Sequence, residues 1–142
     1  MIVHMNDQQL LRDATVQDIQ LELIRRTRFN DFDGERVCEL LNKYRDRWQA
    51  VLLDRPGVPN YDQPGHLLTG GLIKLRDLDQ NIWNADTLYV LTHTLGQARE
   101  LAKVFEESIP GAMPQVHEDT RETDMALGTG RQKCGLLTVW WD

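Results

Sequence analysis

The chain has 142 residues, of which 41% are hydrophobic and 27% charged, and a formal charge of −6. Such a length and balance suit one globular domain with its own core and exclude a disordered chain. The acidic excess argues against a generic nucleic-acid binder, which needs surplus Lys and Arg to neutralise phosphates, and no apolar run reaches the roughly 18 residues of a membrane span.

The opening residues lack the basic and apolar regions of a secretory signal, and residues 1–5 are assigned no part in the fold. Asp7–Arg12 reads as a weak short helix. Thr15 followed by Asp18 predicts a capping box. Val16, Ile19, Leu23 and Ile24 then keep helical spacing, so a helix is expected from residue 16 to near Arg28. Asp31 or Asp33 can cap a second helix. Its apolar stripe, Val37, Leu40, Leu41, Tyr44, Trp48, Val51 and Leu52, predicts one helix continuing to Leu52, stopped by Pro56 and Gly57. Two such helices form a hairpin that must still bury its remaining apolar face.

Residues 55–71 read RPGVPNYDQPGHLLTGG and hold three of the five prolines and four of the ten glycines. The prolines make this a stiff connector rather than a flexible linker. Beyond it the period changes. Residues 66–75 read as a strand with a bulge or bend at Gly70–Gly71. Residues 87–93 form the best strand, rich in β-branched and aromatic side chains. A helix over 95–107 with Thr94 as cap follows, then a short strand at 115–118, a helix at 119–127 and a terminal strand, LLTVWW. Strand, helix and strand over 87–117 read as a right-handed crossover between parallel strands. The expected fold is α+β in a single domain, 1–142. A helical hairpin (about 6–54) packs, through a connector at 55–66, on a small mixed sheet of about four strands (about 67–142).

Four patterns bear on function. First, parallel strands would bring His93 and His117 to carboxyl ends of the sheet, where ligands of open α/β sheets bind. With Glu118, and with His66 from the connector, they would make an acid–base site; with Asp119, a metal site. The plainer reading makes them polar residues at strand ends, with Asp119 or Thr120 capping the next helix. Second, GHLLTGG and ALGTGR (126–131) are Gly- and Thr-bearing loops able to turn N–H groups toward a phosphate. Neither matches a phosphate-loop motif, and a helix cap followed by a turn explains Gly128 and Gly130 equally well.

Third, Cys38 and Cys134 fit no disulfide or zinc spacing and suit a reducing cytoplasm. Cys38 reads as a small buried hydrophobe. Cys134, near Arg131 and Lys133, reads as an exposed thiol with a possible reactive role. No GxSxG elbow exists, since Ser108 is the only serine. Fourth, adjacent Trp140 and Trp141 face opposite sides of a strand, so one can be core while the other is either covered by a helix or used in an interface; Trp83, Trp140 and Tyr61 are the interface candidates. Arg25, Arg26, Arg28 and Arg47 are the one nucleic-acid patch considered, and a solvated helix end explains the first three.

The expectation from these patterns is a small cytoplasmic, non-catalytic interaction or regulatory protein, such as an adaptor or an immunity-type inhibitor. It would meet a protein partner or a second copy of itself through an aromatic and acidic surface formed by Trp83, Trp140 and Tyr61. No cofactor is called for. The alternative is an enzyme of small ligands, or a metal-assisted one, using His66, His93, His117 and Glu118.

Overall fold

The computed structural model describes residues 11–54, 75–83 and 85–142. The expected connector at 55–66, nearly all of the strand at 66–75, and most of the helix at Asp7–Arg12 lie outside them. Leu11–Asp13 is a single 3-10 turn. Among the described residues no helix is long and apolar enough to cross a membrane.

Helix α1 (Val16–Arg26) begins at the expected capping box. The Thr15 hydroxyl accepts from the Asp18 N–H at 3.0 Å, and the Asp18 carboxylate accepts from the Thr15 N–H at 2.9 Å. After Thr27, two-residue strands β1 (Arg28–Phe29) and β2 (Phe32–Asp33) pair around Asn30, which holds a positive φ of 51°. The Asp33 carboxylate then accepts from the Arg36 N–H and caps helix α2 (Gly34–Lys43). Gly34 sits where α1 and α2 come closest: a methyl there would run into the Ile24 and Thr27 carbonyls.

The second helix does not reach Leu52. It stops at Lys43, a 3-10 turn follows at Arg45–Arg47, and Ala50–Asp54 forms strand β3. Trp48 makes the break. It is buried, its indole N–H donates to the Leu41 carbonyl at 2.9 Å, and Arg45 stacks on its ring at 3.9 Å while donating to its carbonyl at 2.8 Å. Residues 51–53 then alternate buried, exposed, buried, the period of a strand. Apolar residues at 48, 51 and 52 satisfy helical spacing on paper, but Val51 and Leu53 are the pair of the strand that meets the core.

The main sheet joins β3 to strands β4 (Thr87–Thr92), β5 (Met113–His117) and β6 (Gly135–Trp140) in the order β3-β4-β6-β5. All three pairings are antiparallel. The α+β architecture and four strands agree with expectation, but the sheet is not mixed. β4 and β5 run parallel, joined by helix α3 (Leu95–Ser108), yet β6 lies between them, so the crossover is split. Pro114 accounts for this. A residue without an N–H suits an edge strand, so β5 takes the edge and β6, which has no proline, the interior.

Helix α3 opens with a second capping box, Thr94 with Gln97. It lays Ala98, Leu101 and Phe105 across the inner face of the sheet. That face carries Val51, Leu53, Leu88, Val90, Leu137 and Val139, all buried, and continues into Leu21, Ile24, Val37 and Leu41 of the helical hairpin as one core. Gly135 lies under the start of α3, where a methyl would run into the Thr92 hydroxyl and the Thr94 carbonyl. Trp141 closes the core: it meets Phe32 edge-on at 4.9 Å and Phe105 at 6.3 Å. Helix α4 (Thr120–Leu127) follows β5 and is capped by the Asp119 carboxylate, which accepts from the N–H groups of Arg121 and Glu122.

The outer edge of β3 is covered by side chains. Gln17 of α1 donates its amide to the Val51 carbonyl at 3.0 Å and accepts from the Val51 N–H at 2.9 Å. Gln20 accepts from the Leu53 N–H at 3.4 Å. A side-chain amide thus occupies the place of a neighbouring strand.

Candidate functional site

Alternation along four paired strands sorts the side chains without further information. Through the register Leu52↔Tyr89↔Thr138↔Gln115, the outer face carries Leu52 of β3, Tyr89 and Leu91 of β4, Leu136, Thr138 and Trp140 of β6, and Met113, Gln115 and His117 of β5. Leu52, Met113 and Trp140 are exposed, and Tyr89, Leu91 and Leu136 are half-buried. Among the described residues the helices packed on the sheet lie elsewhere. α1 runs beside β3, α3 covers the inner face, and α4 reaches only the end around Leu136 and His117.

The open face has charge at one corner. Asp54 ends β3 opposite Thr87, and Asp86 precedes β4 and accepts from the Thr87 hydroxyl at 2.9 Å. Burial first, then the fields of Asp54 and Asp86, push the Tyr89 phenol above its usual range. An aromatic and aliphatic surface with carboxylates at one end is the result.

The residues expected at an interface separate here. Trp140 is 42% exposed and Trp141 fully buried, so the adjacent pair does split between surface and core. Trp83 is half-buried against the core, and its indole N–H donates to the Thr27 hydroxyl at 2.8 Å. Tyr61 lies outside the described residues. Leu52, Tyr89 and Met113 were not singled out from the sequence. The alternation of 87–92 placed Tyr89 on one side of its strand, but only the register shows that Trp140 shares that side.

A strand lies between the two strands that end at or beside the histidines. With β6 between them, β4 and β5 are two strand spacings apart, roughly 9–10 Å. His93 is exposed beyond β4, and its backbone N–H donates to the Gln97 side chain at 3.0 Å. The His117 ring lies 3.5 Å from the Thr138 hydroxyl on the open face. Glu118 receives the Arg99 guanidinium at 2.6 Å, and Asp119 is engaged as a helix cap. His66 lies outside the described residues. Among the described residues no three His, Cys, Asp or Glu side chains group to hold a metal, so His93, His117 and Asp119 do not make such a centre.

The ALGTGR segment gives a hydroxyl rather than N–H groups to a carboxylate, and that carboxylate is the chain's own; the N–H donors come from Lys133 and Cys134 beyond it. Buried Asp124 of α4 accepts from the Thr129 hydroxyl at 2.7 Å, the Lys133 N–H at 2.6 Å and the Cys134 N–H at 3.1 Å. The Thr129 hydroxyl foremost, and the two N–H groups with it, hold the Asp124 carboxyl below its usual range. Gly128, Gly130 and Lys133 all take positive φ as the chain turns about this residue. Cys134, expected to be exposed, is buried because its N–H is one of these anchors. Cys38 is buried too, and burial pushes its thiol up to about 11.

The arginine patch is compensated. Arg25 and Arg26 both pair with Glu22, Arg28 with Asp33 and Glu35, and Arg47 with Asp46 and Glu100. Comparison with protein-family models, curated proteins and solved structures returns no match.

Proposed function

We propose that this chain is a small non-catalytic interaction protein, which presents the open face of its sheet to a basic segment of a protein partner. The observation that carries the reading is the face itself: Trp140, Tyr89, Leu52 and Met113 share one surface, with Asp54 and Asp86 at its corner. A contiguous exposed apolar patch of this kind marks an interaction site in a folded protein. Trp and Tyr act as hot-spot anchors and also accept Lys or Arg over their rings. Carboxylates at the rim raise the association rate with a basic partner more than the affinity. The two free buried thiols fit a reducing compartment such as the cytoplasm.

The test compares the native chain with Trp140→Ser and Leu52→Ser as baits in extract of its source. The reading expects one protein with a basic surface to be retained by the native chain, released by salt and lost with both variants, and backbone amide shifts on adding it to fall on β4 and β6. Light scattering completes the test. A dimer that Trp140→Ser dissociates would assign the face to a second copy of the chain, and retention of the partner by both variants would remove the face from the function.

A further inference from the structure

Arg25, Arg26, Arg28, Arg47, Arg76 and Arg99 each face a carboxylate. Arg121, Arg131 and Lys133 make no ion pair among the described residues, and the three line one open cleft of about 640 Å³ between α4 and the loop 128–134. The volume lies within the range of small-molecule pockets. Asp124, also in the lining, is already held by three donors of the loop, so its charge stabilises the loop and leaves the cations to the cleft. Three cations against one carboxylate make the cleft electropositive on a chain of net charge −6. Gly128 and Gly130 leave the backbone bare along part of the lining, which also holds Met125, 80% exposed.

Lys133 is the telling residue. It holds φ of 56°, where glycine is the easier choice, and its backbone N–H is fixed to Asp124. The loop thereby places a lysine in the lining of the cleft at a position that a glycine would fill with less strain.

We propose that this cleft binds a small phosphate-bearing molecule, with its phosphate among Arg121, Arg131 and Lys133 and an apolar or ring portion against Met125. Guanidinium groups match phosphate oxygens in pairs, and the lysine adds a point charge. The exposed thioether offers a polarisable, adaptable contact for a flat ring. The proposal is independent of the partner-binding face, since α4 meets that face only near Leu136.

Three probes separate the sources of the anion: inorganic phosphate, adenosine monophosphate, and neutral vesicles carrying a phosphorylated inositol lipid. Backbone amide shifts of the full chain report binding, at low and at moderate salt. The expected result is a saturable response to adenosine monophosphate at Thr129, Gly130 and Arg131, at least tenfold tighter than to phosphate and weakened by salt. Arg121→Gln with Arg131→Gln should weaken it more than tenfold. Lys133→Gly, which removes the ammonium while easing the backbone, should do the same with the urea midpoint held or raised. No response to any probe, or equal binding by the variants, would overturn the site. Equal affinity for phosphate and the nucleotide would remove the role given to Met125, and binding to the vesicles alone would replace the small ligand with a membrane surface.

Discussion

Gln17 offers the sharpest test of how the sheet ends. Its amide both donates to and accepts from Val51, at 3.0 and 2.9 Å, as a paired strand would. Gln17→Ala removes both bonds. Each is worth about 0.5–1.5 kcal/mol net, and the site is half-buried, so water replaces part of what is lost; about 1–2 kcal/mol is expected. Alanine is the better helix former by a few tenths of a kcal/mol, which works against the loss and makes this a lower figure. With a urea slope of about 2 kcal/mol/M, the unfolding midpoint should fall by about 0.5–1 M at unchanged slope. Hydrogen exchange at the Val51 amide should accelerate in step, because that N–H then faces solvent. Gln17→Glu keeps an acceptor for the N–H but sets a carboxylate against the Val51 carbonyl, and should lose at least as much. A midpoint and a Val51 exchange rate both unchanged in Gln17→Ala would refute the view that this edge is closed by a side chain.

Other consequences are as direct. Gly135→Ala puts a methyl into the Thr92 hydroxyl and Thr94 carbonyl and should cost about 1–3 kcal/mol by overpacking, read as a lower urea midpoint. Cys38 and Cys134 should not react with an aromatic disulfide reagent at pH 8 until urea unfolds the chain, since both are buried and the Cys38 thiol stands at about 11. Immediate reaction of either would contradict the packing. Asp124 titrates below its ordinary value of 3.8 in the native state because Thr129, Cys134 and Lys133 bind its charged form. Its contribution is therefore present above that value and is lost as the pH falls through the lower, native one. Asp124→Asn should leave a flatter dependence of the urea midpoint on pH below about 4 than the native chain shows; an identical dependence would mean that the loop does not rest on this charge.

Local chemistry determined by itself a good part of this molecule. Thr15 with Asp18, Asp31 or Asp33, Thr94, and Asp119 or Thr120 announced four helix starts, because a cap bonds to N–H groups two or three residues away and needs no distant partner; the structure takes Asp33 and Asp119 from the two pairs. The β-branched and aromatic run at 87–92 likewise stated a strand, and the adjacent Trp140 and Trp141 stated opposite faces, one of which the structure leaves exposed. Tertiary structure decided the rest. Trp48 ended α2 by reaching back to Leu41, and the segment after it became a strand only because β4 was there to pair with it. β6 came between β4 and β5, which separated His93 from His117 and gave Trp140 the company of Tyr89, Leu52 and Met113. Periodicity along a chain records which side of an element is apolar; it holds no record of which element lies alongside, and both the open face and the spacing of the His93 and His117 strands depend on that neighbour.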